Sequence, residues 1–119
     1  MTTLYEKYSQ NPVNVGRMND PMAAAWNKGP CGDTMEMFLA IRDKTIIEAC
    51  FFTDGCGATY ACGSLATLLV KNRSINDALG ISPKEIIDKL ENLPADHHHC
   101  AILAASTLYK AIADYMLQY

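Results

Sequence analysis

Thr34-Met35-Glu36-Met37-Phe38-Leu39-Ala40-Ile41-Arg42 and Thr45-Ile46-Ile47-Glu48-Ala49-Cys50-Phe51-Phe52-Thr53 flank a short polar turn, and this stretch decides the fold. In the first run Met35, Met37, Leu39 and Ile41 alternate with Glu36, Phe38 and Ala40, the period-2 signature of a strand. Arg42-Asp43-Lys44 reads as the hairpin turn. In the second run Ile47, Ala49 and Phe51 share one face, and Ile46, Glu48, Cys50 and Phe52 share the other. That second face holds three apolar residues, so partial cover over it is expected. Asp54-Gly55 breaks the run, and a short third strand is expected to precede or include Cys56.

Working outward, the pattern turns helical. A helix is predicted over about Cys62–Lys71, stopping at Asn72, which tolerates the left-handed conformation. Ser74-Ile75-Asn76-Asp77 starts a short helix ending at Gly80. Ser82-Pro83-Lys84-Glu85 starts another that runs to about Glu91, with Ser as cap, Pro at the first helical position and Glu three residues on. A last helix over about His99–Leu117 buries Ile102, Leu103, Leu108, Ile112 and Met116. Toward the N-terminus, Leu4–Ser9 reads as a helical turn. Asn11-Pro12, Gly16 and Asp20-Pro21 then mark irregular chain as far as Pro30, so residues 1–28 read as a loosely docked segment, with Trp26 placed to cover part of a site. Two to three antiparallel strands with four to five helices packed on one face make an α+β fold, one domain over residues 1–119.

Composition narrows the function. Half of the 119 residues are apolar, enough for a core of their own, and the net charge is −3. An acidic balance excludes an electrostatic case for nucleic acid or an anionic membrane. No uninterrupted apolar run of about 18 residues appears, and the polar start lacks a signal-peptide core, so a cytoplasmic protein is expected. Five cysteines in a reducing compartment read as metal-binding or redox residues before disulfides.

Gly29-Pro30-Cys31-Gly32-Asp33 packs a thiol and a carboxylate between backbone-shaping residues, which can aim both side chains at one point. Gly55-Cys56-Gly57 and His99-Cys100 are the other candidates. The wide separation of the three segments implies a site assembled by folding, unlike a compact zinc finger. Thiolates suit zinc and iron–sulfur clusters, and imidazole and carboxylate are competent partners. Cys100, in the first turn of the last helix, is expected to have its thiol pKa lowered by the helix dipole, and Cys56 more weakly. Against this stands the plain reading of any cysteine as a small buried hydrophobe, which suits Cys50 and Cys62, neither having glycine or acid neighbours. A Cys/His hydrolase is disfavoured, because successive helical residues diverge by about 100° and His99 is badly placed as a base for Cys100. Both converge on a metal if His99 lies at the helix cap. His97 and His98 read as solvated loop residues.

Asn11-Pro12-Val13-Asn14-Val15-Gly16-Arg17-Met18, Cys31-Gly32-Asp33, Gly55-Cys56-Gly57, His99-Cys100 and Ala111-Ile112-Ala113-Asp114-Tyr115, all in order, resemble the iron–sulfur cluster scaffold family (IscU and the N-terminal domain of NifU). The resemblance implies that Cys31, Asp33, Cys56, His99 and Cys100 hold a nascent, transient 2Fe–2S cluster, or a Zn or Fe ion in the cluster-free form. It implies a scaffold or carrier and not an enzyme. Such a protein accepts sulfur from a cysteine desulfurase, with Cys100 and Cys31 as candidate persulfide acceptors, and passes the cluster to acceptor apoproteins such as ferredoxins. A homodimer is compatible with it. The zinc-dependent sulfur-acceptor branch (SufU) carries a long insertion before the third cysteine and lacks the His. The short segment here and His99 fit the IscU type, and a zinc-bound persulfide relay is the alternative. Leu93-Pro94-Ala95-Asp96-His97 departs from the family's Leu-Pro-Pro-Val-Lys, which puts recognition by its dedicated Hsp70-type chaperone in doubt.

Overall fold

The computed structural model describes residues 2–118. The chain order is α1 (Leu4–Gln10), β1 (Ala23–Lys28), β2 (Thr34–Arg42), β3 (Thr45–Thr53), α2 (Gly57–Val70), α3 (Ile75–Ala78), α4 (Pro83–Leu90), a 3-10 turn (Ala95–His97) and α5 (His98–Gln118). The three strands form one antiparallel sheet in the order β1-β2-β3. Helix α5 lies against β1 and β2, α2 against β3 and α5, and α1 and α4 pack on α2, α4 also touching α5. This is the expected α+β architecture.

The β2–β3 hairpin turns at Asp43 and Lys44, whose φ angles of 52° and 61° give the mirror-image turn that matches strand twist. Met35, Met37, Leu39 and Ile41 are buried, as their alternation requires. A register shift sits between Ala40 and Ile41, which places Ile46 opposite Ile41 while Glu48 pairs with Ala40. The two-to-one count is a β-bulge, and it reverses the alternation at that point. Ile46 is therefore fully buried, instead of sharing the outer face with Cys50 and Phe52. On that outer face the Arg17 guanidinium stacks 4.1 Å over the Phe52 ring and forms an ion pair with Glu36 at 2.8 Å, supplying the expected partial cover.

Two elements differ from the sequence reading. The third strand is not beside Cys56 but is β1, pairing Ala23 with Leu39 through Lys28 with Thr34. Its Ala-Ala-Ala-Trp sequence carries no alternation, and it is a strand because β2 and α5 flank it. Trp26 stands opposite Glu36 on the outer face, 58% exposed, rather than over the helix starts. Helix α2 begins at Gly57 instead of near Cys62, so Cys56 is its N-cap.

Helix α5 buries Ala101, Ala104, Ala105, Leu108, Ala111 and Ile112, spaced as one helical face. Ile102 and Met116, expected inside, are 51% and 56% exposed. The alanines face the sheet because small side chains let backbone approach backbone, which leaves the bulky neighbours outside. Ala95–Gln118 is long and apolar enough to cross a membrane, yet half of its most apolar stretch is buried inside the protein. It packs as a core helix.

The segment between α1 and β1 is tied down. The Val13 N–H donates to Ser64 Oγ at 3.0 Å and Asn14 Nδ2 to Thr67 Oγ1 at 3.0 Å. The Phe51 N–H donates to the Asn14 carbonyl at 3.0 Å and the Gly16 N–H to the Phe51 carbonyl at 2.8 Å. Further along, the Ile46 N–H donates to the Arg73 carbonyl at 2.8 Å, and Thr45 bridges Ser74.

Candidate metal centre

The loop joining β1 to β2 carries the first two candidates. Its turn is closed by the Gly29 N–H donating to the Asp33 carbonyl at 2.7 Å and the Gly32 N–H donating to the Gly29 carbonyl at 3.0 Å. Gly32 takes φ +89°, a conformation that favours glycine. Cys31 is thereby held at an exposed loop tip, with Asp33 directed inward. The adjoining strand ends are stitched: the Thr34 N–H donates to Asp54 Oδ1 at 2.7 Å. That backbone bond, chiefly, holds the Asp54 carboxyl below its ordinary range.

The starts of α2 and α5 bring in the rest. Thr59, in the first turn of α2, is fully buried, and its hydroxyl is the hub. It donates to Asp33 Oδ2 at 3.0 Å, lies 3.4 Å from Cys100 Sγ and 3.7 Å from Cys56 Sγ. Gly55 makes room for this arrangement, since a Cβ there would stand 2.5 Å from Thr59 Oγ1 and 2.8 Å from Asp33 Oδ2. Cys100, in the first turn of α5, is buried, and its Sγ lies 3.6 Å from His99 Nε2. His99 is inside α5, since that helix begins at His98, so it is not at the cap. Its ring nonetheless reaches the neighbouring thiol, which the simple 100° divergence does not anticipate.

The two thiols are tuned in opposite directions. For Cys56, burial pushes the thiol up, but hydrogen bonds from the Thr59 backbone and hydroxyl and from the Ala58 N–H outweigh it, and the net shift is down. For Cys100, burial dominates and raises the thiol to about 11; the Thr59 hydroxyl opposes this, and the negative neighbours Cys56 and Asp33 add to it. The expected lowering by the helix dipole is overridden by desolvation. Cys62 lies in the core, where burial drives its thiol far up. Cys50 is half-buried and also raised, again mainly by burial. All five cysteines are free.

His97 was not a sequence candidate. A ring nitrogen of His97 and the sulfurs of Cys56 and Cys100 lie within 4.8 Å of one another. Cys31 is outside this group. Among the described residues, His97 Nδ1 is a buried polar atom without a hydrogen-bond partner. Its ring centroid is 6.0 Å from that of His99. The 3-10 turn turns His97 inward, and the polar run Asp96-His97-His98 gives no periodicity that would announce it. The donor set of thiols, imidazole and a nearby carboxylate fits zinc or ferrous iron.

Residues 3–119 match the family model described as the NifU-like N terminal domain. The chain belongs to that family. As a NifU-like N-terminal domain, it is 41% identical over 111 residues to the iron–sulfur cluster assembly scaffold protein IscU of Escherichia coli K12, covering 89% of this chain and 86% of that protein. It is 38% identical over 107 residues to the IscU 1 scaffold of Archaeoglobus fulgidus, covering 89% of this chain and 70% of the relative. In fold it resembles the crystal structure of an N-terminal NifU-like protein from Brucella abortus, with TM-score 0.81 at 15% identity over 98% of this chain and 94% of that one. A SufU-system scaffold from Fervidobacterium islandicum gives TM-score 0.78 at 16% identity over 94% and 96%.

Proposed function

We propose that this NifU-like domain is a scaffold on which an iron–sulfur cluster is built and from which it is handed on. The observation that carries this is the mixed donor set converging on Thr59: Asp33, Cys56 and Cys100, with His99 against Cys100 and Cys31 on the adjoining loop. Thiolates hold iron firmly, while a carboxylate is a harder and more readily exchanged ligand. A shell with one weak member can both retain and release its cargo, a 2Fe–2S cluster in this reading. In the cluster-free form the same donors suit a Zn or Fe ion.

Sulfur arrives by thiol chemistry. A thiolate of the scaffold attacks the outer sulfur of a cysteine desulfurase persulfide, forming a new S–S bond as the desulfurase thiolate leaves. Exposure favours Cys31 and Cys56 as acceptors, and hydrogen bonds from Thr59 and Ala58 lower the Cys56 thiol below its ordinary value. Cys100, the other candidate from sequence, is buried and reluctant to ionise. The chain's task is carriage rather than turnover, its acceptors are apoproteins such as ferredoxins, and five free thiols suit a reducing cytoplasm. The segment read by a dedicated Hsp70-type chaperone in relatives is here wound into a 3-10 turn and carries Asp96. Chaperone dependence is therefore not expected, and a peptide spanning 91–100 should bind such a chaperone more weakly than one bearing Pro-Pro-Val-Lys.

Anaerobic reconstitution with iron, cysteine and a desulfurase, followed in the visible spectrum and by iron and sulfide analysis, tests the reading. Cluster formation, transfer to apo-ferredoxin and loss of both in Cys56→Ser support it. A zinc-loaded protein that accelerates the desulfurase and never retains iron establishes the SufU-like persulfide relay instead.

A further inference from the structure

We propose that a cavity at the hairpin end of the protein is a binding site for a small aromatic anion, a flat ring carrying one carboxylate or phosphate group. The site goes beyond cluster assembly and does not rest on it. At about 1.5 Å of rise per residue, roughly 22 Å of α5 separates Cys100 in its first turn from Tyr115 and Met116 near its end.

The cavity measures about 430 Å³ and is lined by Lys44, Ser74, Ile75, Asn76, Tyr115 and Met116, a size suited to a small molecule. Its lining divides by chemistry. The Lys44 ammonium, the Ser74 hydroxyl and the Asn76 amide can all donate hydrogen bonds. Among the described residues the side chains of Lys44 and Asn76 have no partner. Ser74 Oγ accepts from the Asp77 N–H at 3.1 Å, which uses a lone pair and leaves the hydroxyl proton to give. Ile75, Tyr115 and Met116 supply the apolar part. Met116, expected inside from its helical phase, stands exposed, and its thioether and the Tyr115 ring both favour aromatic contact. The last carbonyls of α5 form the negative end of that helix. They disfavour an anion beside Tyr115 and Met116, so the charged group belongs on Lys44 and the ring on the helix end.

The cavity is also built in advance. The Ile75 N–H donates to the Lys44 carbonyl at 2.9 Å, the Ile46 N–H to the Arg73 carbonyl at 2.8 Å, and the Asn72 N–H to the Ile46 carbonyl at 2.7 Å. These bonds join the hairpin turn and the α2–α3 connection into one unit. Lys44 itself is an unexpected residue for its place. It adopts φ 61°, the left-handed region, at a hairpin position where glycine is the easiest choice. The turn draws no stability from a lysine there; what the lysine adds is an ammonium group at the cavity wall. Strain retained at a position that carries function has this form.

The experiment is an amide NMR titration of the full 15N-labelled chain. The probes are 2-naphthyl phosphate and naphthalene-2-carboxylate, beside the neutral naphthalene-2-methanol and the 2-naphthylmethylammonium ion. At least one anion should shift the amides of Lys44, Asn76 and Met116 saturably at millimolar concentration. The neutral probe should bind about tenfold more weakly, the loss of one charge-assisted contact, and the cation more weakly still. Lys44→Gly should show the same tenfold loss for the anion, while Lys44→Arg and the distant Lys89→Ala stay near wild type. Because glycine relieves the left-handed conformation, the thermal midpoint of Lys44→Gly should equal or exceed that of wild type. Affinity and stability then move in opposite directions, which a purely structural lysine would not produce. Neither anion shifting these amides overturns the proposal, as does equal binding of the neutral probe or wild-type affinity in Lys44→Gly. Should Lys44→Gly fail to fold, wild type decides. Saturable shifts confined to the cavity with the anions, and tenfold weaker with the neutral probe, sustain the site; shifts elsewhere refute it.

Discussion

Raising a thiol to about 11 has a measurable kinetic price, and Cys100 is where it can be read. At pH 8 a thiol with pKa about 11 is ionised in about one molecule per thousand, against about one in ten for an ordinary thiol near 9. That is a hundredfold deficit in thiolate. The more basic thiolate is the better nucleophile, by about eightfold over two units at a Brønsted slope of 0.4–0.5. The net expectation for metal-free Cys100 is alkylation about tenfold slower than free cysteine, before its burial is counted. The assay is pulsed iodoacetamide labelling at a series of pH values, quenched and resolved by peptide mass spectrometry. The Cys100 rate should climb tenfold per pH unit up to near 11, while Cys56, whose thiol is lowered, levels off earlier. Cys100 labelling as fast as free cysteine at pH 8, or a plateau below pH 9, refutes the argument that desolvation outweighs the helix dipole.

Asp33→Ala should lengthen cluster lifetime and slow transfer to apo-ferredoxin; faster transfer, or earlier loss, removes Asp33 as the exit ligand. Thr59→Val keeps the volume and deletes the hydroxyl, so the Cys56 thiol should move up, seen as a shift of its alkylation profile to higher pH. In Gly63→Ala the new Cβ would lie 2.4 Å from the Phe51 ring. Overpacking of about 1–3 kcal/mol, less up to about 1 kcal/mol of helix propensity, should lower the thermal midpoint by several degrees. Cys62→Ser should retain iron, since Cys62 lies in the core apart from the ligand group; a folded variant that loses its iron reverses that.

The β2–β3 hairpin, the capped starts at Ser74 and Ser82 and the last helix were legible because each carries a local signal: alternation, a cap residue, a 3.6-residue period. The structure repeats them, with Ser82 Oγ accepting from the Glu85 N–H at 3.1 Å. Strand β1 was not legible, since three alanines have no pattern and its conformation is imposed by neighbours. Ile46 was misplaced by a bulge, and Ile102 by choosing the bulkier residue over the small ones that fit against a sheet. At the site, glycine and helix-start context singled out Cys31, Cys56 and Cys100. The hub Thr59 and the inward turn of His97 depend on how three distant segments meet, which spacing along the chain does not encode.

The bonds from residues 14–16 to Phe51 and from Arg73 to Ile46 have a consequence for association. They occupy the outer edge of β3 at two levels, and on the opposite flank the Ala24 N–H is taken by Asp114 Oδ2 at 3.1 Å. An open strand edge is a template on which another chain can polymerise. Here the strip around Asn14 acts as a strand cover, clipped to α2 through Ser64 and Thr67. Cutting the chain after Met18 would bare the amide and carbonyl of Phe51 together with the apolar run Ala49–Phe52. The shortened protein should then precipitate or form fibrils at concentrations where the full chain stays dispersed.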